Sequence, residues 1–293
     1  MIRLKKQNVT AEIMEMGAEM RAYRTADGKN RLWSGDPAVW KGVAPILFPV
    51  IGSVKNQKVR INGKEWAVPK HGFARTSVFR VVRQSAEDCT LMMQDSPETL
   101  EVFPFAFALF VTHRLLDNGF VTEYRVENKS DEKMPFVIGG HPAFACPINE
   151  GEAFSDYQII FDAEEEGRSQ LCTANGLLEG EEILDLGADK RTLALDYDMI
   201  SRRDTLVLAG LNSRGVMLRH KDTRKGFRFV FPESPVLAIW TKPHAKAPYI
   251  CLEPWNGLPG FEKETGDFED KPYHVSLSPG EIFCTSYRME TVE

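Results

Sequence analysis

The feature that most constrains the fold of this chain is a long succession of short strand-like runs separated by turn residues. The clearest example is a hairpin in which residues 105–116 and 120–128 flank the turn Asp117-Asn118-Gly119. A second hairpin is predicted in residues 58–66, because an Asn-Gly pair between alternating residues favours a tight antiparallel turn. Further runs of this kind occupy residues 9–13, 77–83, 89–94, 157–161, 205–211, 215–219, 227–231, 236–240, 249–252 and 283–289. So many strands with hairpin connections predict a large antiparallel β architecture, either closed or stacked as a sandwich.

Helical signals are few in this sequence. Asp36 and Pro37 can cap and begin a single turn over residues 36–40, and residues 97–101 can form another. The chain shows no heptad, internal repeat, low-complexity tract or linker. Its 293 residues fall within the range of large all-β proteins that form one unit. We therefore predict an all-β fold with few short helices and a single domain over residues 1–293.

Charge and apolar patterning bear on the partners of the protein. The formal net charge of −6 argues against nucleic acid, because nucleic-acid binding needs a basic surface. No apolar run approaches the length of a membrane span, and residues 1–6 lead into polar sequence rather than a signal-peptide core. Five scattered cysteines without paired spacing are typical of reduced thiols and not of a disulfide framework or a zinc site. We expect a soluble cytoplasmic protein with no membrane partner; whether it is a monomer or a dimer stays open.

Two histidines stand on constrained backbone. His141 follows Gly139 and Gly140, which allow a sharp turn or a close approach, and it precedes Pro142, which restricts its backbone. His71 lies in residues 69–75, a Pro-Lys-His-Gly-Phe-Ala-Arg stretch that ends in a donor suited to hydroxyls or an anion. The ordinary interpretations are a buried, hydrogen-bonded histidine at the first position and a surface loop with a solvated arginine at the second.

A carboxylate stands on a third constrained segment, residues 250–259. Glu253 leaves an apolar strand directly before Pro254 and Trp255. Partial desolvation there would raise its pKa and make it a base near neutral pH, whereas the ordinary interpretation is a sheet-edge Glu bonded to backbone amides. The three segments form an acid/base set without a nucleophile elbow, a phosphate-binding glycine loop or metal-ligand spacing. This set favours proton transfer to and from oxygen, and Trp255 offers a flat face of the type on which sugar rings stack.

Taken in order, four motifs resemble the aldose 1-epimerase (mutarotase) family, in the branch that includes LacX-type proteins. They are APILFPVIG at 44–52, HGFAR at 71–75, PFVIGGHPAF at 135–144 and CLEPWNG at 251–257. The order and spacing match the family across most of the chain, roughly from Gly17 onwards. The resemblance implies a galactose mutarotase-like β-supersandwich, a small-molecule sugar substrate and a cofactor-free, metal-free interconversion of α and β anomers.

The resemblance also implies roles for individual residues. His141 matches the general acid that protonates the ring oxygen, and Glu253 matches the general base that takes the proton of the anomeric hydroxyl. His71 matches a second histidine that binds the sugar near the ring oxygen. Asp204 corresponds to an acidic ligand of the sugar hydroxyls, although a simple turn aspartate explains it almost as well. Arg75 and Trp255 complete the predicted substrate-binding set.

One position departs from the family pattern and leaves alternatives open. Many relatives carry an arginine directly after the glycine that corresponds to Gly52, whereas this chain has Ser53. Lys55 or Arg75 would have to replace that arginine. The substrate could instead be a hexose phosphate held by Arg75, Lys55, Lys70 or Lys242, or the protein could bind a carbohydrate without catalysis.

The proposed acid and base predict a pH dependence. A histidine with a pKa of about 6.5 and a glutamate of about 4.3 are both in the required state just below neutral pH. A nearby Glu253 carboxylate is expected to raise the pKa of His141 and widen that window. We therefore predict a bell-shaped pH profile.

Overall fold

The computed structural model describes residues 1–292, which form twenty-four β-strands. They are β1 (Ile2–Lys6), β2 (Val9–Ile13), β3 (Met20–Arg24), β4 (Ile46–Leu47), β5 (Lys58–Ile61), β6 (Lys64–Ala67), β7 (Arg80–Gln84), β8 (Asp88–Gln94), β9 (Phe107–Leu115), β10 (Gly119–Asn128), β11 (Met134–Phe136), β12 (Ile138–Gly140), β13 (Ala143–Ala145), β14 (Tyr157–Phe161), β15 (Arg168–Cys172), β16 (Leu178–Ile183), β17 (Thr192–Ala194), β18 (Thr205–Ala209), β19 (Gly215–His220), β20 (Gly226–Val230), β21 (Val236–Trp240), β22 (Tyr249–Asn256), β23 (Val275–Leu277) and β24 (Ile282–Val292).

Helices are short in the described chain. The two α-helices are α1 (Pro97–Leu100) and α2 (Tyr197–Ser201), and single 3₁₀ turns occupy Lys55–Gln57, Ala74–Thr76, Phe154–Asp156 and Phe268–Asp270. Ser96 caps α1, because its side chain accepts a hydrogen bond from the Thr99 backbone N–H. The predicted turn at 36–40 is present as a turn, in which the backbone N–H of Trp40 donates to the Asp36 carbonyl at 2.8 Å.

Two large sheets dominate the architecture. A nine-stranded sheet has the order β17-β14-β19-β20-β24-β10-β9-β8-β7, and an eight-stranded sheet has the order β16-β15-β18-β21-β22-β12-β4, with β13 also paired to β22. Smaller sheets are formed by β1-β2-β3, β11-β23 and β5-β6. All strand pairs within these sheets are antiparallel, which confirms the predicted all-β fold of large antiparallel sheets with few short helices.

The hydrophobic core lies where the two large sheets face each other. Phe144 of β13 packs against Phe227 of β20 with ring centroids 4.6 Å apart. Asn256 of β22 accepts a hydrogen bond from the Thr285 hydroxyl of β24 at 3.0 Å. Because side chains alternate along a strand, the odd-numbered residues of β22 point away from this interface, to the outer face of the eight-stranded sheet.

The strand predictions hold best where apolar residues alternate along a short run, as in β2, or fill it, as in β21. The predicted runs 9–13, 157–161 and 236–240 coincide with β2, β14 and β21, and the two predicted hairpins are β5–β6 and β9–β10. β16 was not predicted because its sequence, LEGEEI, is charged and mostly exposed. The predicted run 77–83 begins too early, since Ala74–Thr76 forms a 3₁₀ turn and β7 starts at Arg80.

Candidate active site

A cavity with a volume of about 390 Å³ opens on the outer face of the eight-stranded sheet. Its size suits a small ligand such as a monosaccharide. Every site residue predicted from the sequence borders it, although the six come from segments far apart in the chain. They are His71, Arg75, His141, Asp204, Glu253 and Trp255.

The floor of this cavity is formed where β22 pairs with β12 and β13. Gly139 of β12 pairs with Trp255, and Ala143 of β13 pairs with Cys251. The same register continues between the two strands and puts His141 directly opposite Glu253. Residues opposite each other on one face of an antiparallel pair have their side chains side by side. The Nε2 atom of His141 lies 3.3 Å from the Oε1 atom of Glu253.

Glycines make this close packing possible. A Cβ atom on Gly139 would lie 2.4 Å from Cδ1 of Trp255, and one on Gly140 would lie 2.7 Å from Cε1 of Tyr287. The close approach expected at this pair of glycines is therefore present, with an aromatic ring against each. Pro142 interrupts the strand between β12 and β13, while the backbone N–H of His141 donates to the Pro45 carbonyl at 3.0 Å.

Burial controls the protonation of the central pair. His141 is 7% exposed and Glu253 is 1% exposed. Burial lowers the pKa of His141 to about 3, and the positive charge of Arg75 acts in the same direction. Burial raises the pKa of Glu253 well above its usual value. The expected rise in the pKa of His141 was wrong, because burial disfavours its charged form and also favours the uncharged form of the Glu253 carboxyl group beside it.

The pair therefore holds one proton over a broad pH range. Burial disfavours the charged form of each group, so a neutral imidazole beside a protonated carboxyl group is the favoured resting state. Oε1 of Glu253 and Nε2 of His141, 3.3 Å apart, lie close to the distance at which a proton can pass directly from one to the other. The second oxygen of Glu253, Oε2, and the Nδ1 atom of His141 are buried and have no hydrogen-bond partner within residues 1–292.

His71 is held as a hydrogen-bond donor toward the cavity. It has a left-handed backbone with a φ of 66°, and its backbone N–H donates to the Gly52 carbonyl at 2.8 Å. The Gly52 N–H donates in return to Nδ1 of His71 at 3.1 Å. Burial holds the pKa of His71 well below its usual range, with the charge of His141 next in importance. A neutral ring that accepts at Nδ1 carries its proton on Nε2.

Charged side chains surround the central pair unevenly. Lys70, Arg75 and Lys242 border the cavity, as does the exposed carboxylate of Asp204. Asp204 has a φ of 59° and immediately precedes β18, so it is both a turn residue and part of the cavity wall. Lys55 does not border this cavity; it borders a separate depression near Glu264.

Aromatic rings that the sequence did not single out form one wall. The ring of Trp40 lies 5.0 Å from that of His141, and the ring of Trp240 lies 5.5 Å from it, centroid to centroid. Both indoles are partly exposed, whereas Trp255 is only 3% exposed and packs over Gly139. Trp40 lies in the turn at 36–40 and Trp240 ends β21, so neither carried a motif that could have marked it.

A cysteine also lies close to the central pair. Within residues 1–292, the Cys251 sulfur, a His141 ring nitrogen and a Glu253 carboxylate oxygen all lie within 4.8 Å of one another. Zinc accepts this set of donor atoms. Sequence spacing missed the group because β22 and the segment before β13 meet only through strand pairing. All five cysteines are free thiols.

Comparison with known proteins places this chain in a family. The family model for aldose 1-epimerase matches residues 1–283. The plasmid-encoded protein LacX of Lactococcus lactis subsp. lactis is 33% identical over 293 residues, which cover 98% of this chain and 97% of LacX. This chain belongs to the aldose 1-epimerase family. The predicted relation to LacX-type proteins is thereby confirmed.

Solved structures of galactose mutarotase-like proteins share the fold of this chain. A galactose mutarotase-like protein from Lactobacillus casei superposes with a TM-score of 0.92 at 30% identity, with 100% of both chains covered. A galactose mutarotase related enzyme from Lactobacillus acidophilus gives 0.90 at 28% identity, covering 100% of this chain and 97% of that one. The predicted galactose mutarotase-like β-supersandwich is confirmed. No helix within residues 1–292 is long and apolar enough to span a membrane.

Proposed function

We propose that this protein is an aldose 1-epimerase that interconverts the α and β anomers of an aldohexose by general acid/base catalysis. The observation that carries the proposal is the 3.3 Å contact between Nε2 of His141 and Oε1 of Glu253 on the floor of a sugar-sized cavity. Acid and base side by side match a reaction whose two proton transfers involve two oxygens on the same carbon atom.

The reaction needs no net change in protonation of the enzyme. His141 donates a proton to the ring oxygen while Glu253 removes the proton of the anomeric hydroxyl, and the bond between the anomeric carbon and the ring oxygen breaks. Rotation of the resulting aldehyde exposes its other face to the same hydroxyl. Ring closure returns one proton to His141 and gives the other from Glu253 to the new anomeric oxygen.

The shared proton prepares the pair for this chemistry. At rest the proton favours Glu253, and transfer across 3.3 Å to His141 yields the imidazolium and carboxylate that ring opening requires. A bound sugar replaces lost water contacts with hydroxyl hydrogen bonds, which favour the charged form of both groups. The carboxylate of Glu253, which borders the cavity, accepts the proton of the anomeric hydroxyl.

The remaining cavity residues hold the sugar. His71 donates from Nε2 near the ring oxygen, and the carboxylate of Asp204 and the guanidinium of Arg75 bind hydroxyls. Trp255 is buried and packs over Gly139, so it cannot stack on the sugar. We assign it the role of positioning Glu253, two residues away on the same strand. The partly exposed rings of Trp40 and Trp240 supply the apolar wall.

The test is polarimetry or NMR exchange on freshly dissolved α-glucose and α-galactose. The unmodified protein should accelerate mutarotation, and both Glu253→Gln and His141→Asn should abolish the acceleration. Glu65→Gln, on the exposed β5–β6 hairpin, serves as a control that keeps full activity. Sugar binding without acceleration of any anomer exchange would instead establish a non-catalytic carbohydrate-binding protein.

A further inference from the structure

Cys251 is a buried thiol that the proposed reaction does not use. It lies in β22 two residues before Glu253, so the two side chains stand on the same outer face of the sheet. His141 is opposite Glu253 and is therefore the diagonal neighbour of Cys251. Diagonal neighbours on one face of an antiparallel pair lie within reach of long side chains. Strand pairing thus brings a thiol, an imidazole and a carboxyl group together.

The three donor atoms lie close to the spacing of a zinc site. Bond lengths of about 2.0–2.1 Å from zinc to nitrogen or oxygen and about 2.3 Å to sulfur put tetrahedral ligand atoms about 3.4–3.6 Å apart. Nε2 of His141 and Oε1 of Glu253 are 3.3 Å apart, and the Cys251 sulfur is within 4.8 Å of a nitrogen and an oxygen of this pair. A shift of the sulfur by roughly 1 Å brings all three atoms to that spacing. Within residues 1–292, no other group of three His, Cys, Asp or Glu side chains has its donor atoms this close together.

A divalent cation can enter this group without burying net charge. Burial raises the pKa of the Cys251 thiol well above its usual value, and the charge of Glu253 acts in the same direction. The thiol and the carboxyl group therefore each hold a proton beside a neutral imidazole. Metal ligands are deprotonated, so binding sends one proton from Cys251 and one from Glu253 to solvent. The two negative charges balance the cation, and the nearby charge of Arg75 faces a neutral site before and after binding.

We propose that Cys251, His141 and Glu253 form an inhibitory binding site for zinc or a similar thiol-binding divalent cation. His141 and Glu253 border the cavity, so a cation that enters the cavity meets two of its ligands there. Cys251 supplies the third ligand from within the sheet, and a water molecule completes the tetrahedron. The thiolate selects the cation, because magnesium and calcium prefer oxygen ligands.

Bound zinc stops the proposed reaction. The cation occupies the lone pair of His141 and the negative charge of Glu253, so neither group can exchange a proton with the sugar. This consequence rests on the proposed function, whereas binding of the cation depends only on the three side chains. Anomer exchange is then controlled by the concentration of free zinc, with the metal acting as an inhibitor and not as a cofactor.

The test combines metal spectroscopy with inhibition of anomer exchange. Co²⁺, a spectroscopic substitute for zinc, is added to the chelator-treated protein, where a thiolate ligand should give a sulfur-to-cobalt charge-transfer band. Cys251→Ala should remove this band. It should also raise the zinc concentration for half-inhibition at least about 100-fold, beyond the usual loss on removing an outer-shell partner of a metal. Mg²⁺ at the same concentrations should not inhibit.

A second cysteine provides the matched control. Cys172 borders the same cavity and is partly exposed, so Cys172→Ala should keep both the cobalt band and the inhibition by zinc. Each variant is compared with its own rate in the absence of metal, after circular dichroism has shown that it is folded. Cys251→Ser, which preserves the side-chain volume, replaces Cys251→Ala if the smaller residue prevents folding.

The outcomes separate the metal site from the catalytic assignment. A cobalt band that depends on Cys251, in a protein without activity on any sugar, would retain the metal site and overturn the proposed function. An active protein that gives no such band, or whose inhibition by zinc is unchanged in Cys251→Ala, would overturn the metal site and leave the proposed function standing. Loss of the band in Cys172→Ala alone would also overturn it. Faster anomer exchange with zinc would overturn the inhibitory role.

Discussion

His141 lies directly opposite Glu253 in the strand register, although Pro142 interrupts the strand that carries it. The interruption costs one backbone hydrogen bond to β22, because proline has no N–H to donate. It leaves the register on both sides unchanged. Sheet pairing thus holds the proposed acid and the proposed base side by side with no flexible loop between them, the type of rigid support that a preorganised site requires.

The contact between these two residues predicts that their substitutions have strongly non-additive effects on kcat/KM. Glu253→Gln and His141→Asn should each lower kcat/KM about 10²- to 10⁴-fold, the range for loss of a positioned acid or base. The double variant should be no worse than the poorer single variant, because neither group works without the other. Anomer exchange measured by NMR for all four proteins gives the coupling. If the fold loss in kcat/KM of the double variant equals the product of the two single-variant losses, the two residues act independently.

The pH dependence should be broader than free side chains would give. The active species holds one proton on the pair; a second proton binds below the lowered pKa of His141, about 3, and the single proton leaves only above the raised pKa of Glu253. We expect kcat/KM to stay level between pH 6.5 and 5 and to fall on either side of a wide plateau. Enzyme-dependent rates, corrected for spontaneous mutarotation, test this. An acid limb with its midpoint near 6.5 would contradict it.

A structural histidine should make the protein sensitive to acid. His113 lies in the core, where Nε2 donates to the Ala18 carbonyl at 2.8 Å and Nδ1 accepts from the Thr122 hydroxyl at 3.0 Å. Burial lowers its pKa to about 4. The unfolded chain binds the proton at a higher pH than the folded chain does. The contribution of neutral His113 to stability is therefore complete above pH 6.5, and the free energy of unfolding falls by about 3 kcal/mol as the pH falls toward 4. Urea unfolding should show a shallower pH slope in His113→Gln; equal slopes would exclude this role.

The packing of Trp255 on Gly139 predicts that a larger residue at position 139 lowers both stability and activity. In Gly139→Ala the new methyl group would lie 2.4 Å from Cδ1 of Trp255 and 3.0 Å from the Pro254 carbonyl oxygen, so β22 must shift beside Glu253. We expect a loss of about 1–3 kcal/mol in unfolding free energy, as for other overpacked cores, together with reduced kcat/KM. Thermal melting and the anomer-exchange rate measure both.

Gly28→Ala provides the comparison for that prediction. Gly28 has a φ of 79° and no atoms within 4 Å of an added Cβ, so the substitution carries a backbone cost of about 1 kcal/mol without a clash. It lies outside the cavity and should keep normal activity. Equal activity losses in the two variants would mean that the contact with Trp255 does not support the site.

Local sequence determined the strands and the chemical types at the site. Alternating apolar residues marked β2, because one face of that strand is buried, and short apolar runs marked β14 and β21. The Asn-Gly pair marked the β5–β6 turn. The segments around His71, His141 and Glu253 were visible because proline limits the backbone near it and glycine allows turns and close contacts that other residues do not. These are short-range effects, so they can be predicted from neighbouring residues.

Tertiary structure decided what those residues can do. The pKa directions of His141 and Glu253 depend on how much water the surrounding sheets exclude, which no local pattern encodes. The inclusion of Trp40 and Trp240 in the wall, and of Lys70 but not Lys55, depends on where distant segments meet. The sequence alone determined the strand pattern and the acid/base residue types, whereas strand register and burial, which arise only from long-range pairing, decided their contacts and charge.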